Sequence, residues 1–501
     1  MQVRSCNQRM SKESYERRQE MNVKLFSGKE IPIEMHKTRM VQKIVLTPAK
    51  ERLKAMEEAG YNTFTLKTKD IFLDMLTDSG VNAMSDNQFG AFMTGDDAYA
   101  GSMTFYDFAD AVKDVLGYKY VMNVHQGRAA EHLLAKAFIK QGDVVPTNYH
   151  FTTTRVHMEL AGADCLEIYH DEALETKSTN PFKGNMDPQK LKKVIEEYGK
   201  ERISYVRMEA TTNLLGGQPF SMANLKEIRS ICDKHGLLIV LDGSLLCENA
   251  YCIMQREEGY KKKTVAEIVK EICGYADVYY MSGRKNTCVR GGCIATNSKE
   301  HFDKMKDWLP VYEGFFTYGG MPQREIAMMA VGMREMTDPG VAGCVIEQVK
   351  YFVRRLEEIG IPVVTPAGGL ACHLDAKKFL PHIPKEEYIA GALTAALYIA
   401  SGVRSMERGT ISMDRDKDGN ELYADLELTR IAVPRRVYSV SHIEYVVDRL
   451  TWLHKHRDLI KGLKFVEEPP VLRFFVGRLA PLDNWGAKLA EAFIKEFGPN
   501  Y

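Results

Sequence analysis

Short, mainly apolar runs alternate with longer amphipathic stretches through most of the chain, and this alternation sets the expected architecture. Residues 119–124 (KYVMNV), 203–209 (ISYVRME), 237–242 (LLIVLD) and 277–281 (DVYYM) read as buried strands. Between them apolar positions recur every three or four residues, which predicts helices over 128–141, ended at Gly142, over 222–235 and over about 264–272. A further helix is expected over 49–59, stopped by Gly60. Strands alternating with helices imply α/β architecture, a mostly parallel sheet covered on both faces, over residues 76–335. After residue 336 the texture changes to a long helix (341–359), a strand (369–374), a helix (386–402), an antiparallel-looking stretch DLELTRIAV (425–433) and a last helix (441–456). That pattern predicts a smaller α+β domain over 336–501, joined by residues 46–75, with residues 1–45 as an N-terminal extension.

Length and composition narrow the class. A chain of 501 residues exceeds one ordinary core and suits two packed domains. Lys plus Arg equals Asp plus Glu at 67 each, so nothing favours nucleic-acid wrapping or an anionic membrane surface, although a local basic pocket remains compatible with neutrality. No apolar run reaches the roughly 18 residues that a membrane span needs. The N-terminus lacks the apolar centre of a secretory signal, and Glu13, Glu16 and Glu20 argue against a transit peptide. The ten cysteines form no CxxC pair, and Cys247/Cys252 and Cys288/Cys293 have no zinc spacing. A reduced, cytoplasmic protein is expected. The lysine run 261–263 reads as a solvated face.

Ligands of open α/β sheets collect beyond the carboxyl ends of the strands, and three places there carry suitable chemistry. His125-Gln126-Gly127-Arg128 turns from a strand into a helix, where a glycine admits an anion to free N–H groups and the positive end of the dipole. Taken alone, an ordinary turn with an arginine at the start of a helix is the preferred reading. Asp242 ends an apolar strand, where a buried carboxylate needs a partner such as a protonated pyridine nitrogen; a helix N-cap is the plain alternative. Ser282-Gly283-Arg284-Lys285 follows the strand DVYYM, and a lysine held there near other cations suits imine formation, although most lysines are merely exposed. The Ser-x-x-Lys spacing also occurs in serine β-lactamases, but Ser85-Asp86-Asn87 precedes it here and no Lys-Thr-Gly follows. A phosphate turn, a strand-end acid and a strand-end lysine, in that order, are the layout of aminotransferase-like pyridoxal-phosphate enzymes of fold type I.

The stretches LTDSGVNAMSD (76–86), GDDAYAGS (95–102), HQGRAAE (125–131), FTTTR (151–155), GGQPFSMANL (216–225), ENAY (248–251), YEGFFTYGG (312–320), GVRSMERG (402–409) and LKFVEEPPVLRFF (463–475) resemble the β-eliminating lyase family, whose members cleave tyrosine or tryptophan. The resemblance runs from about Glu51 to Phe475. It implies that Gln126, Gly127, Arg128 and Ser282 bind the phosphate of pyridoxal 5′-phosphate, that Phe151 stacks on the ring and that Asp242 pairs with its nitrogen. It further implies that Lys285 forms the imine and moves the α-proton, and that Ser79, Asn213 and Arg430 hold the substrate carboxylate beside Thr77. Tyr99 matches the general acid that protonates the leaving carbon from a neighbouring subunit, which implies a homo-oligomer, usually a tetramer.

Three positions separate the two branches of the family. Thr152 stands where tryptophan-cleaving members have an aspartate, Arg408 matches an arginine that joins this threonine at a phenol hydroxyl, and Phe474 stands where those members have a histidine. With Phe64, Phe315, Met406 and Phe475 they imply an aromatic pocket for a 4-hydroxyphenyl side chain, although Phe64, Met406 and Phe475 also suit an ordinary core. The implied reaction is β-elimination of L-tyrosine, or a close analogue, to phenol, pyruvate and ammonia.

The chain departs from the family pattern at the cofactor end. Leu245 occupies the place of an arginine that donates to the cofactor's phenolate oxygen. The implied monovalent-cation site, for potassium, falls on Gly80, Asp97 and Arg290, with Asp97 in place of a glutamate and Arg290 in place of an asparagine; Arg284 replaces a lysine. These changes keep two further readings open: another pyridoxal-phosphate reaction (β-replacement, transamination or an oxygen-dependent step), or a non-catalytic protein of the same fold. Retention of Lys285, Asp242, Tyr99 and Arg430 together counts against the last.

Overall fold

In the computed structural model, which describes residues 22–501, a seven-stranded sheet forms the centre of the molecule. Its strands are β1 (Tyr120–Val124), β2 (Val144–Thr147), β3 (Asp164–Glu167), β4 (Val206–Glu209), β5 (Ile239–Asp242), β6 (Val278–Ser282) and β7 (Gly292–Thr296), in the order β1-β7-β6-β5-β4-β2-β3. β7 runs antiparallel to both neighbours, and every other pairing is parallel. β5 and β6 are buried along their whole length, which is why they read as apolar runs up to their terminal Asp242 and Ser282, whereas the equally buried β4 carries the charges of Arg207 and Glu209. The helices that cover the sheet include α1 (Gly127–Phe138), α2 (Thr152–Leu160) and α3 (Leu246–Arg256).

The carboxyl-terminal part is built on an antiparallel sheet of β8 (Ala371–Asp375), β9 (Met406–Arg408) and β10 (Leu428–Ala432), with β10 in the middle. Helix Ile389–Ser401 lies buried from end to end beside it. The short strand Leu73–Asp74 pairs in parallel with Val403–Arg404, which ties the segment before residue 76 to this part of the chain.

Two expectations are corrected. Residues 441–456 do not form the last helix: Trp485–Phe497 follows it and buries Trp485, Leu489 and Phe493 on one face. The helix expected to reach Gln141 stops at Phe138, because Ile139 is extended and Gly142 turns the chain at φ +86°. Among the described residues no helix is long and apolar enough to cross a membrane, and the nine described cysteines are unbridged. The N-terminal expectation falls partly on residues 1–21, which lie outside the described residues.

Candidate active site

β5 and β6 end side by side, so Asp242 and Ser282 lie together at one edge of the sheet, and the turn after Ser282 presents Lys285. Thr287 pins that turn by donating to the Gly283 carbonyl at 2.6 Å, while Asn82 Nδ2 donates to the carbonyls of Arg284 and Lys285, both at 3.1 Å. Asn82 is in turn held by the Arg435 backbone N–H, and Arg435 is ion-paired with Asp78 and Glu248. The backbone of Lys285 is therefore fixed while its side chain remains half-buried, with Nζ 5.1 Å from the centre of the Phe151 ring.

Gln126 precedes α1 and Gly127 opens it, directly against the end of β6. A Cβ on Gly127 would come within 2.9 Å of Ser282 Cβ, so glycine is required by close approach. The first turn of α1 thus sits against Ser282, and a helix start beside a serine is a combination suited to an anion. Arg128 is exposed, with its guanidinium 5.4 Å over the Phe475 ring.

The opposite wall comes from the antiparallel sheet and contributes two buried cations. Arg430 on β10 is 2% exposed and Arg408 on β9 is 5% exposed. Among the described residues no carboxylate lies within ion-pairing distance of either. Arg430 donates to Asn213 Oδ1 at 2.8 Å, to the Leu76 carbonyl at 2.9 Å and to Met406 Sδ at 3.0 Å. Arg408 has only a long contact to Thr152 Oγ1, 3.4 Å, and Nε of both arginines lacks a partner. Burial, followed by the mutual repulsion of the two cations, pulls Arg430 well below the ordinary arginine range; burial lowers Arg408 to about 10. His373, opposite Arg430 on β8, is pushed down to about 3 by burial and by Arg430, so it stays a neutral imidazole. Buried cations without a counter-ion are costly, and a site that keeps two of them is shaped for an anionic or strongly polar ligand.

Aromatic rings close this end. Phe64 stands edge-on to Phe474 and Phe475, at 5.4 and 5.0 Å between centres, and Arg408 lies 5.6 Å over Phe474 and 5.7 Å over Phe151. Thr77 and Ser79 belong to the loop that Arg430 grips at Leu76, and Thr77 Oγ1 accepts from the Ser79 N–H at 3.1 Å.

The family model described as beta-eliminating lyase matches residues 74–449. The chain belongs to the β-eliminating lyase family. A tyrosine phenol-lyase of Symbiobacterium thermophilum is 46% identical over 451 residues, covering 90% of this chain and 98% of its own. One of Pasteurella multocida is 46% identical over 452 residues, covering 90% and 99%. Solved structures of a Sphingomonas wittichii serine palmitoyltransferase (TM-score 0.53, 15% identity, 78% and 88% covered) and a Pyrococcus horikoshii aromatic aminotransferase (TM-score 0.53, 15% identity, 82% and 99% covered) share the fold.

Several residues of the lyase lie elsewhere than this chain's own pocket. Tyr99 is 76% exposed, its hydroxyl meeting that of Tyr318 at 3.3 Å, and Phe315 is partly exposed with its ring on Phe316. Of the residues expected around a cation, Asp97 is paired with Arg324 at 2.9 Å, Arg290 is exposed, and the Gly80 N–H donates to the Arg284 carbonyl. Among the described residues no group of three or more His, Cys, Asp or Glu side chains could hold a metal ion. Leu245 is buried in a small apolar cluster with Leu370, Ala371 and Ala432.

Sequence reading missed Arg207, Glu209 and Tyr280, which surround Asp242. Arg207 Nη2 donates to Asp242 Oδ2 at 2.7 Å and to Glu209 Oε2 at 3.1 Å. The Tyr280 hydroxyl accepts from Arg207 Nε at 3.0 Å and donates to Asp242 Oδ2 at 2.9 Å. A signal was present: an arginine and a glutamate two apart inside an otherwise buried strand (ISYVRME) require partners on one face.

Proposed function

We propose that this lyase binds pyridoxal 5′-phosphate and converts L-tyrosine, or a close 4-hydroxyphenyl analogue, with water into phenol, pyruvate and ammonia. The observation that carries the reading is the pair of buried guanidinium groups without counter-ions, Arg430 and Arg408, facing one lysine-bearing pocket. They match the two polar ends of tyrosine, and the relatives named above carry the same activity in their names.

The residues present fit the cofactor. The start of α1 (Gln126, Gly127, Arg128) and Ser282 would hold its phosphate, Phe151 would lie against the ring, Asp242 would face the ring nitrogen, Asn213 would line its edge, and Lys285 would attach it. When bound, the group supplies an electron sink for charge developing at the substrate's α-carbon. Arg430, with Asn213, Thr77 and Ser79, grips the carboxylate through a planar fork. Lys285 Nζ takes the proton from Cα. Arg408 and Thr152 hold the ring hydroxyl while Phe64, Met406, Phe474 and Phe475 exclude water, so an unhydroxylated ring would leave buried donors unpaired. Arg408→Ala and Thr152→Ala are therefore expected to lower kcat/KM for tyrosine by about 10- to 100-fold each, while α-proton exchange of alanine, followed by NMR in deuterium oxide, stays near wild type. Normal tyrosine turnover in both variants would remove the pocket assignment.

Tyr99 is proposed to donate a proton to the leaving ring carbon in a partner subunit's site, within a cytoplasmic homo-oligomer, in full a tetramer; Phe315 belongs to the same shared wall. Its exposure supports this, as do the exposed apolar side chains Phe89, Met93, Met103 and Tyr106 on nearby helices. Mixing inactive Tyr99→Phe with inactive Lys285→Ala is expected to restore part of the activity, because hybrid interfaces contain one intact site. No recovery after demonstrated subunit exchange would return Tyr99 to its own chain. A potassium ion held at Gly80, Asp97 and Arg290 belongs to the same proposal.

Leu245 favours a second reading, a different pyridoxal-phosphate reaction on the same amino acid, because an apolar cluster stands where the family arginine would donate. Mass spectrometry of the products from tyrosine and the cofactor decides: phenol and pyruvate establish elimination, and any other aromatic product establishes the second reading.

A further inference from the structure

Asp242 does not stand alone. Its Oδ2 already accepts from Arg207 and Tyr280, and its Oδ1 accepts from the Ser244 N–H at 3.1 Å. Arg207 is 1% exposed and shares one nitrogen between Asp242 and Glu209. Strand register sets Glu209 directly beside Asp242, and the Asn213 N–H donates to the remaining Glu209 oxygen at 3.1 Å.

The charges are what matter. Asp242 and Arg207 by themselves form a neutral pair, whose field on a neighbouring cation is that of a dipole and falls off steeply with distance. An acid whose task is to hold a ring proton would be spoiled by an arginine ion-paired with it at 2.7 Å. Glu209 changes the sum: once it is ionised, as the pH rises above about 7, one cation and two carboxylates carry one net negative charge in a site closed to water, where it acts strongly. Other charged groups reach the cluster from the elements packed around it. Lys285 acts on both Glu209 and Asp242, Arg408 acts on Glu209, and Glu131 of α1, held by the hydroxyls of Thr153 and Thr154, lies behind Arg207. Burial pushes Asp242 up, but Arg207 and then Lys285 hold it below the usual carboxylate range; burial pushes Glu209 up to about 7 against the pull of Arg207.

We propose that Glu209 is a positioning residue that, through Arg207, restores one net negative charge to the Asp242 cluster, and that this charge gives the site its hold on a protonated pyridine nitrogen. The inference rests on the cofactor reading above and adds residues that it does not use.

The test compares binding of pyridoxal phosphate to the apo-protein with binding of 1-deazapyridoxal phosphate, in which carbon replaces the ring nitrogen. Glu209→Gln is expected to weaken pyridoxal phosphate about tenfold while leaving the deaza analogue unchanged, and Glu209→Asp is expected to restore the difference. Arg207→Met combined with Glu209→Leu removes the ion pair as a unit and leaves Asp242 with its single charge, so it should keep the preference for the nitrogen-bearing ligand. Equal weakening of both ligands by Glu209→Gln, no weakening at all, or loss of the preference in the double variant overturns the proposal. Should Glu209→Gln not fold, the double variant decides alone. A wild-type protein that binds neither ligand overturns the cofactor reading itself, whereas binding that ignores Glu209 overturns only the present inference.

Discussion

Lys285→Ala is expected to lower kcat on L-tyrosine by about 10⁴- to 10⁶-fold, the scale of removing a group on which covalent catalysis depends. The fold should survive, because the turn that carries Lys285 is held by Thr287, Asn82 and backbone bonds that alanine leaves intact. Only a half-buried stem and its contact with Phe151 are lost. Reversible cofactor binding should persist through the start of α1 and Ser282, as measured by dialysis. Borohydride reduction of the wild type should leave a pyridoxyl group on the peptide containing Lys285 and none there in the variant. A label on another lysine would move the active site.

The second large effect belongs to Arg430. Losing one partner of a buried, charge-assisted contact costs about 2–4 kcal/mol, so Arg430→Met should lower kcat/KM for tyrosine by a factor of about 30 to 1000. The stability of the ligand-free protein should respond differently. Arg430 is buried without a carboxylate, so its removal relieves an uncompensated charge while forfeiting hydrogen bonds to Asn213 and Leu76. These terms offset one another, and the free energy of unfolding should change by no more than about 1 kcal/mol. A paired structural arginine would behave in the opposite way: Arg435, tied to Asp78 and Glu248, should cost about 3–5 kcal/mol when replaced. Unchanged activity together with a large loss of stability in Arg430→Met would make Arg430 a structural residue.

How much of this was legible in the sequence depended on whether the signal was local. The apolar runs ending in Asp242 and Ser282 announce buried strands, and α/β alternation brings their carboxyl ends to one edge. Arg207 and Glu209 were equally visible as charges in a buried strand, yet their meaning required the neighbouring strand, because Glu209 meets Asp242 only through the register of β4 on β5. Leu245 could be read as a departure from a family pattern; that it fills an apolar niche with Leu370, Ala371 and Ala432 could not. The helix Trp485–Phe497, whose buried Trp485, Leu489 and Phe493 recur at helical spacing, lies beyond the motif-rich stretches and is not among the helices expected from the sequence.

By itself the sequence determined the α/β fold class and the apolar strands that end at Asp242 and Ser282, since these depend on local periodicity, while the strands Val144–Thr147, Asp164–Glu167 and Gly292–Thr296 came only from the structure. Only the tertiary structure decided that Arg408 and Arg430 are buried without counter-ions. Their environment is assembled from β8, β9, β10 and loops distant in the chain, and the free energy of a charge is set by what surrounds it rather than by its neighbours in sequence.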